Sequence, residues 1–158
     1  MTLTNFEKVT EFNKAFGAVI HSKPQHDLFE TNPWLVRHRL NLITEEVMEL
    51  EDAIDDKDLR ETVDALADIL YVVYGAFNAF GIDGDKAFDL VHNSNMTKLC
   101  KTEEEAKLSV EAYKKDSRYK SPEYRLADDG KNWIVFDKET TKILKSINYS
   151  AVDLTPVL

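Results

Sequence analysis

Two apolar seams in the middle of the chain leave few folds open. Val36, Leu40, Ile43, Val47, Leu50 and Ile54 recur at 4-3-4-3-4 spacing, and Leu59, Val63, Leu66, Leu70, Val73, Phe77 and Phe80 at 4-3-4-3-4-3. That period places each set along one face of a helix. Asp55 to Asp58 interrupts the pattern, with Asp58 placed to cap the second helix. A turn of about four residues between two such helices implies an antiparallel hairpin. A second row, Ala65, Ile69, Val72 and Ala76, runs opposite the seam of the second helix. That helix therefore reads as apolar nearly all round, and so as a buried one. The surplus predicts a homo-oligomer, a homodimer or a tetramer, with the second row at its interface.

The flanking segments complete an all-α plan. Thr4 with Glu7 three residues on, and the stripe Phe6, Val9, Phe12, Phe16 and Val19, predict a first helix over 4–20. Two prolines make 21–33 a loop. Gly81 ends the hairpin, and a further helix runs from Asp85 to about Leu99. Thr102 with Glu105 marks the start of a short helix reaching about Lys115. Residues 118–129 read as polar and irregular. The runs Trp133–Phe136 and Ile143–Ile147, flanking a polar turn, predict a β-hairpin. The expected fold is a four- to five-helix bundle with a small C-terminal β-hairpin extension. Residues 1–99 form the helical catalytic domain, and 100–158 an extension packed on it. The tail from Asp153 is expected to be loosely held.

Composition narrows the class. Glycine and proline number 5 and 4 of 158 residues, which favours long uninterrupted helices. Net charge of −9 argues against binding nucleic acid through its phosphate backbone. The stretch 69–82 is too short for a membrane span, and the N-terminal residues lack the order of a signal peptide. With Cys100 the only cysteine, no disulfide framework exists, and a cytoplasmic, reducing setting is expected.

The acidity is concentrated. Between Glu45 and Asp68 stand 11 acids against Lys57 and Arg60, which gives 2 − 11 = −9 and leaves the remaining residues neutral. Glu46 and Glu49 lie about 60° apart on one flank of the first seam, with Glu45 beyond Glu49. Asp64 and Asp68, at i and i+4, share a stripe of the second helix. Two carboxylates about 6 Å apart repel by roughly 3 kcal/mol at an effective dielectric near 20. Such groups are either protonated or neutralised by cations, and no basic residue occurs between Arg60 and Lys86. A divalent metal is the simplest remaining cation. Oxygen donors alone point to Mg²⁺, or Mn²⁺, rather than Zn²⁺. A solvated acidic face is the rival explanation. The four histidines form no HExxH pattern, and no glycine-rich phosphate loop is present.

The string Glu45-Glu46-Val47-Met48-Glu49, followed by Asp64-Ala65-Leu66-Ala67-Asp68-Ile69-Leu70-Tyr71, resembles the signature of the all-α NTP pyrophosphohydrolases. These include the MazG-like and phosphoribosyl-ATP pyrophosphohydrolase-like proteins. Phe12 to Gly17 and Val91 to Leu99 extend the resemblance over about residues 5 to 99. Where the family often carries a glutamate three residues before the last aspartate, this chain has Ala65, and Asp64 or Glu61 must stand in.

The resemblance implies Mg²⁺-dependent hydrolysis of a nucleoside triphosphate between the α and β phosphates, giving monophosphate and pyrophosphate. It implies Glu46, Glu49 and Asp68 as metal ligands, with Asp64 the expected fourth and Glu61 its rival. Glu45 matches the residue that orients the attacking water. Asn95 and Lys98 match positions near the phosphates. Phosphoribosyl-ATP pyrophosphohydrolase activity is the near alternative, and a catalytically silent helical nucleotide-binding or scaffold protein the distant one.

Overall fold

The computed structural model describes residues 2–158. Six α-helices and one antiparallel strand pair follow in order: α1 Asn5–Ala15, α2 Leu28–Thr31, α3 Pro33–Asp55, α4 Leu59–Phe80, α5 Gly84–Met96, α6 Glu103–Tyr113, β1 Pro122–Leu126 and β2 Trp133–Asp137. The mostly helical architecture with a small C-terminal hairpin is the one expected. The chain divides into two compact units, Met1–Phe88 with Leu154–Leu158, and Asp89–Asp153. This division runs through α5, whereas the sequence reading drew its own between residues 99 and 100.

In the first unit, α3 and α4 form the antiparallel hairpin and α1 packs on α4. The caps are local. Asn32 Oδ1 accepts from Leu35 N at 3.1 Å, with Pro33 at the first helical position. Asp58 Oδ1 accepts from Arg60 N at 2.9 Å and Glu61 N at 3.2 Å. Thr4 and Glu7 exchange bonds of 2.8 and 3.1 Å in a capping box. α1 stops at Ala15, short of residue 20, because Gly17 turns left-handed at φ 68 and Ala18 N bonds back to Asn13 O. One turn of helix, α2, stands inside the segment read as loop. The tail is held by Lys86 Nζ, which donates to Pro156 O at 2.8 Å.

Along its first half α4 turns the row opposite the expected seam inward, while Val73, Phe77 and Phe80 of the seam are half-buried further on. Ala65 is buried, and Ile69, Val72 and Ala76 are half-buried, whereas Leu59, Val63, Leu66 and Leu70 are exposed. On α3, Leu40, Val47 and Ile54 are exposed as well, while Ala53 is buried. Small side chains pack α3 against α4, and the larger residues Leu59, Val63, Leu66 and Leu70 stay exposed among the described residues. The helix is therefore not buried all round. α4 is also long and apolar enough to cross a bilayer by length and composition. Its packing on α1 and α3 covers only part of that apolar surface.

The second unit has its own core of Cys100, Ala106, Val110, Val135 and Leu144. Its hairpin pairs Pro122–Leu126 with Trp133–Asp137, in the register Tyr124 opposite Val135. The first strand thus lies in the segment expected to be irregular, and Ile143 makes only an isolated bridge to Phe136. The reason is the Asp128-Asp129-Gly130 turn. Asp129 accepts from Asn132 N, from the Asn132 side-chain amide and from Lys131 N, which holds its carboxyl down to about 2, and Gly130 takes φ 66.

Candidate active site

Glu45, Glu46 and Glu49 stand on α3, and Asp64 and Asp68 on α4. Their helices run side by side, so the acids of one face those of the other. Glu46 is half-buried; Glu45, Glu49, Asp64 and Asp68 are exposed. Glu46 is the electrostatic centre. Desolvation first, then the carboxylates of Glu49, Asp68, Glu45 and Asp64, push its carboxyl above the ordinary glutamate value. The structure thus places the other four sequence-identified acids within electrostatic reach of Glu46.

No lysine or arginine pairs with any of the five, all ion pairs among the described residues lying at or beyond Glu103. Among the described residues, no three His, Cys, Asp or Glu side chains are gathered tightly enough to hold an ion as they stand. The donor set nevertheless fits a hard divalent cation. It is all carboxylate oxygen, without an ion-pair partner among the described residues, and crowded around Glu46.

Asn95 and Lys98 belong to the second unit. Asn95 is exposed on the last turn of α5, and its carbonyl accepts from Lys98 N at 3.0 Å. Nearby, Ser94 Oγ donates to Ser150 O at 2.8 Å, and Ser150 N to Thr97 Oγ1 at 2.9 Å.

Sequence reasoning passed over a second polar group in the hairpin unit. Arg39 on α3 is buried, as are Asn13 on α1 and Asn78 on α4. Arg39 Nε and the amide nitrogens of Asn13 and Asn78 are sealed from solvent without a hydrogen-bond partner. The available signal was Arg39 itself, a cation two turns before Glu46 on the same face of α3, together with a glycine inside α4. A shallow groove of about 210 Å³, lined by Asn5, Lys8, Val9, Ala67, Leu70, Tyr71 and Tyr74, runs beside the stripe that carries Asp68.

A helical hairpin carrying acidic motifs on both of its helices is the arrangement expected from the resemblance to the all-α pyrophosphohydrolases. Residues 9–95 match the phosphoribosyl-ATP pyrophosphohydrolase family, and the chain belongs to that family. The matched segment spans α1 to the last turn of α5, and so contains the five acids and the buried arginine. A relative from Acanthamoeba polyphaga mimivirus, the uncharacterized protein L479, is 30% identical, with 98% of this chain and 96% of that protein aligned. The extension after residue 95 is therefore shared with at least one other protein.

Proposed function

We propose that the chain is a Mg²⁺-dependent nucleoside triphosphate pyrophosphohydrolase, cleaving between the α and β phosphates to give a monophosphate and pyrophosphate. The observation that carries this reading is the crowding of Glu46 by four carboxylates with no cation of the protein beside them. Such repulsion costs stability in the free protein and is relieved by a bound divalent ion. Glu46, Glu49, Asp64 and Asp68 would hold Mg²⁺, with Mn²⁺ able to replace it. The ion, when bound, offsets polyphosphate charge and makes a coordinated water more acidic.

Glu45 lies about 100° round α3 from Glu46. It is assigned to hold the attacking water and take its proton as the oxygen adds to phosphorus and the anhydride bond breaks. Asn95 and Lys98 are assigned to the phosphates. Phosphoribosyl-ATP as the substrate is the second reading, favoured by the family that the chain matches.

The active form is proposed to be a homodimer or tetramer of cytoplasmic protein. Leu59, Val63, Leu66 and Leu70 on α4, with Leu40, Val47 and Ile54 on α3, supply the exposed apolar rows that a second copy would cover. This replaces the row first expected at the interface. Sedimentation should give at least a dimer, and Leu66→Glu should lower the mass to that of the monomer.

Pyrophosphate release from a panel of ribo- and deoxyribonucleoside triphosphates and phosphoribosyl-ATP, with and without Mg²⁺, tests the activity. Release from none of them under any divalent ion would refute it and leave the silent scaffold. In the same preparation, Mg²⁺ at about a hundred times its dissociation constant should stabilise the fold by about 2.7 kcal/mol.

A further inference from the structure

A guanidinium taken out of water normally meets a carboxylate or several carbonyls, because an unpaired buried charge is costly. Arg39 meets neither. It is 8% exposed, yet none of its nitrogens makes a hydrogen bond or ion pair among the described residues. Its Nε is sealed, while Nη1 and Nη2 are not among the sealed atoms, so the tips of the fork reach solvent. Burial lowers the arginine from its ordinary value without removing its charge.

The neighbours add two further unpartnered donors. Asn13 is 5% exposed and Asn78 3%, and both present a sealed, unpartnered amide nitrogen. The oxygen of Asn78 is taken by the Thr10 hydroxyl at 3.0 Å. Gly75 makes room for the group. A Cβ there would stand 3.0 Å from Arg39 Nη1 and 3.7 Å from Asn13 Nδ2. A glycine inside a helix costs roughly 0.5–1 kcal/mol against alanine, so the space is kept at the expense of stability.

We propose that Arg39, with Asn13 and Asn78, is a binding site for an oxygen acceptor on the substrate, remote from the scissile anhydride. Arg39 precedes Glu46 by seven residues, which is two turns along the same face of α3, or about 10.5 Å. A nucleotide whose polyphosphate lies at the carboxylates extends over such a distance. The shared chemistry is an oxygen that accepts from a charged fork, whether on a base carbonyl or on a second phosphate. This inference rests on the nucleotide reading above for its substrate, but its test does not depend on turnover.

The test is the Arg39 Nε–H resonance in metal-free protein, titrated separately with uridine, which has carbonyls and no phosphate, and with inorganic phosphate. One of the two should shift it, and which one does identifies the source of the oxygen. Asn13→Asp should raise the melting temperature by pairing the buried cation, and weaken binding of the effective probe by at least about tenfold. In the turnover assay the same variant should raise KM with kcat retained, because the contact lies away from the reacting atoms. Gly75→Ala, a favourable change for helix propensity, provides a second variant, whose folding is read from its melting curve. Its Cβ displaces Nη1 and should weaken the same probe. If neither probe moves the resonance, or both variants bind as the parent does, the site is refuted. A protein that releases no pyrophosphate, yet whose resonance responds and is silenced in both variants, keeps this site and loses the proposed activity.

Discussion

Arg39 and Gly75 face each other across the α3–α4 hairpin, close enough that a single added methyl would press on the guanidinium. That pairing marks the register of the two helices. Seven residues further along α3 and seven back along α4 stand Glu46 and Asp68, which the same register brings together. Their mutual repulsion is one of the causes raising Glu46. One helical hairpin thus carries a cationic end and an anionic end on the same face, two turns apart. An extended substrate with both an oxygen-rich head and a metal-bound polyphosphate matches that polarity.

Glu46 gives the pH dependence of the metal-free protein. Its carboxyl is raised in the folded state, by desolvation and by its acidic neighbours, so the folded protein holds the proton more tightly than the unfolded chain does. Its contribution to stability is therefore fully present below the ordinary glutamate pKa and is lost as pH rises through the higher folded value. Glu46→Gln should melt higher than the parent at neutral pH in EDTA. The gain should shrink towards zero as pH falls below the ordinary glutamate range. With Mg²⁺ present the order should reverse, because the variant lacks a ligand. Melting curves at several pH values, with and without Mg²⁺, read all three comparisons.

The choice between Asp64 and Glu61 follows from the hairpin register. Asp64 lies one turn from Asp68 and is among the groups that raise Glu46. Glu61 lies another turn back, beside the cap, where Asp58 holds its backbone N–H at 3.2 Å. Asp64→Asn should weaken Mg²⁺ binding by at least about tenfold, a loss typical of disrupting metal coordination, while Glu61→Gln stays within about twofold of the parent. Titration calorimetry with Mg²⁺ checks this, and the opposite order would move the fourth ligand to Glu61.

The hairpin and its acids were legible because their signals are local: 4-3-4 periodicity, Asp58 as cap, Gly81 as stop. The five acids needed only the helical step to be placed on facing stripes. Which apolar row turns inward was not legible. It depends on how close two helices can come, and Ala53, Ala65 and Gly75 set that distance only once the partner helix is in place. The β-hairpin was misplaced for a related reason. Pro122–Leu126 has a weak strand pattern and is recruited by the Asp128-Asp129-Gly130 turn, whereas the more apolar 143–147 makes one bridge. The Arg39 group was only half legible: its place on the face of Glu46 follows from the helical step, whereas its burial depends on how α1, α3 and α4 pack.

Gly81 offers a stability prediction independent of function. It ends α4 at φ 72, and a Cβ there would fall 1.9 Å from the carbonyl oxygen of Lys23. Backbone, not a flexible side chain, blocks that position. Gly81→Ala should therefore destabilise the protein by more than the roughly 1–3 kcal/mol of a strained left-handed residue alone. Gly17→Ala, at φ 68 with nothing within 4 Å, should cost only that strain. Denaturant unfolding of the two variants checks the difference.

Glu45 separates binding from chemistry. It neighbours Glu46 in sequence but points about 100° away round α3, so it can reach past a bound ion rather than enclose it. Removing a base that positions water should slow the chemical step by about 10²–10⁴-fold and leave ground-state binding nearly intact. Glu45→Gln is expected to bind Mg²⁺ and a non-hydrolysable triphosphate within about threefold of the parent, while losing most of its turnover. Asp68→Asn should lose metal affinity and turnover together, since Asp68 faces Glu46 across the hairpin. Calorimetry beside pyrophosphate-release rates gives both readouts on each variant. A Glu45 variant that no longer binds Mg²⁺ would place Glu45 among the ligands, and the water-holding role would then pass to another of the five acids.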